Sequence, residues 1–337
     1  MWVSRTPLRV SFFGGGTDYP SYFSDMPGAV LGTAIDRYVY IQALPLAGFA
    51  EQRFRLTYRI TESVDSIDEI SHPAVRACLS HYKWQAPLNI ATMSDLPGGT
   101  GLGSSSAFTV GLINLLHKIR GVSLTQFELA REAIFVEQQL LREEVGIQDQ
   151  IHAAFGGLAR YEFQGAEFAI HPLRITRSRY EALSRSLVLV YTGRARHAAS
   201  VLAQQETRTR SGANSSYLAT LYAMTHAAGR LLERAGDDRN ALREFGALLD
   251  EAWQVKRRLS DAISDASTDG LYSEGKSIGA WGAKLLGAGG GGFVLFLADP
   301  DCHAEFRQRF GAERVSAIRI ESAGSVVDSL RPRSMEQ

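Results

Sequence analysis

Hydrophobic positions change period several times along the chain, and each change marks an element. Residues 8–13 form a short, β-prone apolar run ending on Gly14-Gly15-Gly16, which predicts a strand entering a tight loop. Residues 29–46, rich in Val, Ile and Tyr, predict one long strand or two. Phe54, Leu56, Tyr58 and Ile60 alternate with polar neighbours, the period of a half-buried strand. Residues 72–82 read as a helix and 88–92 as a further strand. An apolar run from Ala107 to Ile119 predicts a helix that stops at Gly121. Ser123 with Gln126 has the spacing of a capping box and opens a helix carrying Leu124, Phe127, Ala130, Ile134, Val136 and Leu140. A short helix over 151–155 is stopped by Gly156-Gly157, and residues 158–163 and 168–172 predict a hairpin turning near Gln164-Gly165.

A polar, basic stretch over 174–186 separates this half from a second that begins with the apolar run 187–191. Helices are expected from 198 to 264, broken near Gly212 and Gly236-Asp237-Asp238, with another over 277–286. Gly287 to Gly292 form a glycine loop, residues 293–297 and 316–320 read as strands, and the last few residues are expected to be disordered. Mixed elements in non-alternating order predict an α+β protein of two domains, over 1–180 and 181–330.

Composition narrows the function classes. A chain of 337 residues is long enough for two ordinary cores. Lys+Arg and Asp+Glu are both 36, so no global field draws the chain to nucleic acid or an acidic membrane, and neither is expected as a partner. Cys78 and Cys302 lie far apart and offer neither a disulfide framework nor a CxxC metal site, which predicts a cytoplasmic protein. The first residues lack an apolar core of signal-peptide length, and no apolar run has transmembrane length.

The stretch from Leu96 to Ala107 carries the strongest chemical signal. Gly98, Gly99, Gly101 and Gly103 permit sharp turns, Ser104-Ser105-Ser106 supply hydroxyls, and a helix begins there. That is the layout of an anion cradle, although a Gly/Ser connector has the same composition. Arg9 interrupts an apolar strand and calls for an anionic partner. Asp18 suits either a turn or a site that accepts hydroxyl hydrogen bonds. Asp149 suits a helix cap or a site, and Glu137 lies beside the apolar stripe formed with Val136 and Leu140. The glycines from Gly287 match GxGxxG, yet the predicted helix before and strand after reverse the dinucleotide-binding context. No Lys follows the glycines as in a Walker A loop, and the His-Arg-Asp and Asp-Phe-Gly signatures of protein kinases are missing.

Taken together, three segments resemble the GHMP kinase family, named for galactokinase, homoserine, mevalonate and phosphomevalonate kinases. Pro97-Gly98-Gly99-Thr100-Gly101-Leu102-Gly103-Ser104-Ser105-Ser106-Ala107 is similar to its second motif, Pro-x-x-x-Gly-Leu-Gly-Ser-Ser. Lys284-Leu285-Leu286-Gly287-Ala288-Gly289-Gly290-Gly291-Gly292 resembles its third motif, and the segment from Arg9 to Thr17-Asp18-Tyr19 resembles the galactokinase-like form of its first. The resemblance implies a GHMP N-terminal domain followed by a ferredoxin-like C-terminal domain, with ATP and Mg2+ required. It implies Asp149 as the catalytic carboxylate, kept ionised by Arg9, and Ser105 and Glu137 as magnesium ligands. Pro97, Gly98, Gly99, Gly101, Leu102, Gly103, Ser104, Ser105 and Ser106 would surround the ATP phosphates. Gly15, Gly16, Thr17 and Asp18 would read the sugar, and Gly287, Gly289 and Gly290 would line the phosphate side of the cleft.

Within the family, Gly14-Gly15-Gly16-Thr17-Asp18 together with Gly146-Ile147-Gln148-Asp149-Gln150 look most like the D-glycero-D-manno-heptose 7-phosphate kinases. That likeness implies transfer to the C1 hydroxyl of a heptose phosphate, feeding nucleotide-activated heptose into surface polysaccharide. Arg194 or Arg196 would then grip the sugar phosphate, unless they form a solvated basic turn. The alternatives are a kinase of an unphosphorylated sugar such as fucose or galactose, and a non-catalytic sugar- and ATP-sensing protein. A homodimer is a further expectation.

Overall fold

The run read as one strand or two over 29–46 is a single strand of 18 residues, Gly28–Pro45, and the larger sheet is built on it. The computed structural model describes residues 1–46, 51–194 and 198–330, leaving out the side chains of 198–200. The first half runs β1 (Trp2–Phe13), α1 (Pro20–Phe23), β2 (Gly28–Pro45), β3 (Phe54–Thr57), β4 (Thr61–Val64), α2 (Pro73–His81), β5 (Leu88–Ser94), α3 (Ser104–Ile119), α4 (Gln126–Phe135), α5 (Gln148–Phe155), β6 (Leu158–Gln164) and β7 (Glu167–Pro172). The second half runs α6 (Arg177–Arg185), β8 (Leu187–Tyr191), α7 (Ala198–Arg210), α8 (Ser215–Glu233), α9 (Asp238–Arg257), α10 (Ala266–Ser277), β9 (Gly282–Leu285), β10 (Phe293–Leu297), α11 (His303–Phe310), β11 (Val315–Ala317) and β12 (Val326–Ser329).

Strand β2 is long enough to serve two neighbours on one edge. Its residues 28–33 pair with β6 and its residues 39–45 with β5, while β1 runs antiparallel along the other edge. Parallel β3 and its hairpin partner β4 extend the sheet beyond β5. Register shifts at Pro7/Leu8 and Ser11/Phe13 bend β1 on either side of Arg9, the distortion bulges impose where a side chain must be re-aimed. Helix α3 lies on this sheet, and the approach is tight. A Cβ on Gly111 would stand 2.6 Å from Thr6 Oγ1, so only glycine lets helix and strand meet there.

The second sheet is antiparallel throughout, in the order β11-β8-β10-β9. Helix α9 crosses it at Gly246, where a Cβ would fall 2.6 Å from the Trp281 Cβ. Phe12 and Phe13 at the end of β1 meet the Phe245 ring edge-on at 5.4 and 5.2 Å, which carries the buried apolar core from one half into the other. The α+β class is as expected, and among the described residues no helix is long and apolar enough to cross a membrane.

Several local expectations are corrected. Residues 277–286 are not a helix: α10 ends at Ser277, and all four residues of β9 are buried, so their apolar run belongs to a fully covered strand that periodicity cannot tell from a helix. The glycine loop is therefore a turn between two antiparallel strands. The capping box is not Ser123 with Gln126. Thr125 Oγ1 accepts from Glu128 N at 3.2 Å, and Glu128 Oε2 accepts from Thr125 N at 2.7 Å. The strand expected over 54–60 stops at Thr57, residues 58–60 turning the chain into β4, and helices α3 and α5 begin three residues earlier than predicted. Residues 326–329, expected in the second domain, pair with β1 in the first sheet. The disorder expected for the last residues concerns 331–337, which lie outside the described residues.

Candidate active site

Arg9 is where three elements meet. Its backbone N–H leaves β1 to donate to Leu102 O at 3.0 Å, and its Nη1 donates to Gly101 O at 2.6 Å. Its Nε and Nη2 donate to Asp149 Oδ1 and Oδ2 at 2.7 and 2.8 Å, a two-pronged grip. The Arg9 side chain is 6% exposed and that of Asp149 24%, so the carboxylate faces the cleft while its counter-ion is buried behind it. Such a two-pronged pair fixes the direction of the carboxylate.

The glycine loop wraps the start of α3. Gly103 caps that helix in the left-handed conformation (φ +73°) without any side-chain cap, so the N–H groups of the first turn open toward the cleft. A Cβ on Gly103 would stand 3.2 Å from Asp149 Oδ2. The second glycine loop packs directly on the first: a Cβ on Gly101 would meet Leu286 O at 2.5 Å, and one on Gly292 would meet Thr100 O at 2.3 Å. Gly290 N donates to Ile263 O at 2.9 Å, which anchors the far side of that loop. Lys284 ties the same strand to the first segment, its Nζ donating to Ser11 O at 2.8 Å and Phe12 O at 3.0 Å. Burial among these carbonyls pulls its pKa down to about 7.

Glu137 lies on a single π turn, Val136–Leu140, that interrupts the helical ladder after α4 and turns the carboxylate inward. It is 1% exposed, and burial pushes its pKa up to about 7. Ser106 Oγ donates to Glu137 Oε2 at 2.9 Å, and Gln150 Nε2 donates to the same oxygen. Glu137 Oε1 and Gln150 Oε1 are buried acceptors without a partner. A carboxylate and an amide oxygen left open beside serine hydroxyls are a donor set that fits a hard cation such as magnesium.

Asp18 and Gln148 form the other end of the cleft. Asp18 Oδ1 accepts from Gly16 N at 2.9 Å and Oδ2 from Gln148 Nε2 at 2.8 Å, while burial raises its pKa. Sequence reasoning missed Lys256. It lies in the last turn of α9, is 7% exposed, and its Nζ donates to Gly15 O at 2.9 Å and Gln205 Oε1 at 3.3 Å. Burial lowers its pKa to about 8, with Asp18 opposing the shift. Leu249, Ala252 and Trp253, seven, four and three residues before it and all buried, are the apolar stripe that puts Lys256 on the inward face.

Of the sequence-derived residues, Arg9, Asp149, Glu137, Gly15, Gly16, Asp18, Gly99, Gly101, Gly103, Ser104, Ser105, Ser106 and Gly287 line one cleft. Pro97, Gly98, Gly289 and Gly290 are outside that lining, and Leu102 is buried in the core at 1% exposure. Thr17 is a correction. Its hydroxyl lies 2.8 and 2.9 Å from Gly14 O and Ala29 O, which compete for its single proton, and accepts from Ala29 N at 3.0 Å, so it holds the loop and is spent before any sugar arrives. Ser105 is exposed on the first turn of α3, and the serine bonded to Glu137 is its neighbour Ser106. Arg194 is exposed outside the cleft lining and pairs with Asp265 at 3.1 Å. Arg196 lies outside the described residues.

Comparison with known proteins bears on this geometry. Residues 70–157 match the model for the GHMP kinases N terminal domain, and residues 230–316 match that for GHMP kinases C terminal. A D-glycero-alpha-D-manno-heptose 7-phosphate kinase of Campylobacter jejuni is 28% identical over 313 residues, 88% of this chain and 89% of that protein. A bifunctional fucokinase/GDP-fucose pyrophosphorylase of Arabidopsis thaliana is 29% identical over 90% of this chain, which spans only 30% of that protein. The crystal structure of a D-glycero-D-manno-heptose 1-phosphate kinase from Bacteroides thetaiotaomicron superimposes with a TM-score of 0.78 at 21% identity, covering 98% of this chain and 100% of that one. At that identity the likeness is one of fold.

Proposed function

The chain belongs to the GHMP kinase family, and from that premise we propose that it is an ATP-dependent sugar kinase acting on the C1 hydroxyl of D-glycero-D-manno-heptose 7-phosphate. The observation that carries the catalytic half is the Arg9–Asp149 pair set against the open N-terminus of α3. The substrate half rests on the Gly14–Asp18 and Gly146–Gln150 segments and on a heptose phosphate kinase that matches along nearly its full length. The product would supply nucleotide-activated heptose for surface polysaccharide.

The residues divide the work. Asp149 accepts the proton of the attacking hydroxyl. An ionised Asp is a weak base, which suffices where the transition state is loose and the proton leaves late. Arg9 fixes the direction of that carboxylate and offsets charge growing on the transferred group. The N–H groups of Ser104, Ser105 and Ser106 hold phosphate oxygens at the positive end of α3. Glu137 with Ser105 or Ser106 would hold magnesium, which when bound neutralises phosphate charge. Asp18 and Gln148 position the acceptor, so that orientation supplies much of the rate.

A kinase of an unphosphorylated sugar is the second reading, favoured by the pairing of Arg194 with Asp265 away from the cleft. A coupled ADP-release assay over heptose 7-phosphate, fucose and galactose separates the two. Turnover with a free sugar and none with the heptose phosphate would overturn the first reading. Tight binding of sugar and ATP without ADP release would make the chain a sensor instead.

A further inference from the structure

Gly15 is the one member of its glycine triplet that the backbone does not demand. Gly14 has φ +83° with a Cβ position 1.8 Å from Ala29 O, and Gly16 has φ +111° with a Cβ position 3.0 Å from Gln205 Nε2. Gly15 is not among the glycines of positive φ, and a Cβ on it would meet nothing closer than 3.9 Å. What surrounds that Cβ position is chemistry: Lys256 Nζ at 3.9 Å, Ser11 Oγ at 3.9 Å and Gln148 Nε2 at 4.0 Å. All three side chains line the cleft, and each is more than nine-tenths buried. Sterics and strain would admit alanine at position 15, so glycine there leaves room for something else.

All three surrounding groups are incomplete. Ser11 Oγ and Gln148 Oε1 are buried without a hydrogen-bond partner, and Lys256 uses two of its three N–H donors. A buried polar atom without a partner carries an unmet desolvation cost, and on side chains that line a cleft a ligand can complete it. The orientation of the Gln148 amide is set by Asp18, which accepts from its nitrogen. Its free oxygen therefore needs a donor. A phosphate dianion has no proton to give, and the Asp18 carboxylate beside it repels one. Hydroxyls both donate and accept.

We propose that the space over Gly15, bounded by Ser11, Gln148 and Lys256, is a subsite for the vicinal hydroxyls of the acceptor, with Lys256 its specificity-determining cation. The assignment rests on the sugar-kinase reading and deepens it. Gln148 and Asp149 both line the cleft at the start of α5, so hydroxyls seated at Gln148 bring a neighbouring hydroxyl toward the carboxylate. Any phosphate on the acceptor is directed away from Lys256, to the opposite end of the sugar.

The test uses three variants of the full chain: Gly15→Ala, which fills the space; Ser11→Ala, which breaks no internal hydrogen bond; and Lys256→Met. KM is measured for whichever sugar the wild type turns over, and for ATP, with sugar binding followed by calorimetry. Each variant is expected to raise the acceptor KM roughly tenfold, the factor carried by one good hydrogen bond, with ATP KM unchanged. A Gly15→Ala protein with an unaltered acceptor KM overturns the subsite, as does a parallel rise in ATP KM in all three variants. A Lys256→Met penalty confined to phosphorylated sugars would make Lys256 a phosphate grip and also overturn it. Failure of the heptose assignment alone is distinguishable, since the variants are then read with the free sugar that replaces it. A wild type that binds no sugar overturns both.

Discussion

Gly146 and Asp18 are packed so closely that a Cβ on Gly146 would stand 2.0 Å from Asp18 Oδ2. The loop before α5 therefore has glycine where the carboxylate sits, and Ile147 N donates to Asp18 O at 3.1 Å just beyond it. Gly146→Ala must displace Asp18 or the start of α5. Overpacking of this kind costs about 1–3 kcal/mol, and the acceptor KM should rise with it. Urea denaturation together with acceptor titration checks this, and an alanine variant of native stability would show that the contact can relax.

Asp149→Asn keeps the shape of the side chain but removes the proton acceptor and the charge that Arg9 faces. A fall in kcat of about 10²–10⁴ is expected, the usual contribution of a positioned base, with little change in ATP KM. Turnover within a fewfold of wild type would remove Asp149 from the chemistry.

Ser105 and Ser106 should separate cleanly. Ser106→Ala strips Glu137 Oε2 of one of its two donors and should lower stability by about 1 kcal/mol, the net worth of a hydrogen bond. Ser105 is exposed, so Ser105→Ala should leave the melting temperature in place while raising the magnesium concentration needed for half-maximal turnover. The reverse pattern would assign the metal contact to Ser106.

Glu137 gives a pH dependence with a defined sign. Its pKa rises from 4.5 in the unfolded chain to about 7 in the fold, so between those values the folded state binds the extra proton. Its contribution is fully present below about pH 4.5 and is lost as pH rises through about 7, amounting to at most about 3 kcal/mol. The difference in denaturation midpoint between wild type and Glu137→Gln, followed over that window, should slope accordingly. Buried Lys284, lowered to about 7, acts with opposite sign and above that pH, so it does not mimic the effect. A flat difference would mean that Glu137 is ionised throughout.

The sequence made the glycine loops legible because a reversal of backbone direction needs positive φ, and glycine reports that need directly. It made Arg9 legible because a charge inside an apolar strand needs a partner, and Asp149 is that partner. Lys256 is harder to read, because a lysine in the last turn of a helix is ordinarily solvated and only the apolar stripe of Leu249, Ala252 and Trp253 marks its face as inward. Thr17 was misread for a related reason: nothing in its neighbours shows that Ala29 and Gly14 would use up its hydroxyl. The strand at Gly282–Leu285 reads as helix in sequence because a short run buried on both faces has no period. Arg194 presents a charge just after the strand 187–191, and Asp265 lies too far along the chain to be foreseen as its partner.

The pairing of Val326–Ser329 with Trp2–Arg5 also bears on how the chain is made. Strand β1 is an interior strand of the larger sheet, and the segment that covers its outer edge is more than 300 residues away. During synthesis β1 and β2 can form their hairpin-like ladder early, yet the other side of β1 stays unpaired until residues 326–329 have left the ribosome. Long-range closure of this kind slows folding and leaves an exposed strand edge in the interim. A nascent chain stalled before residue 326 would therefore hold most of the catalytic residues but present a sticky edge to its neighbours.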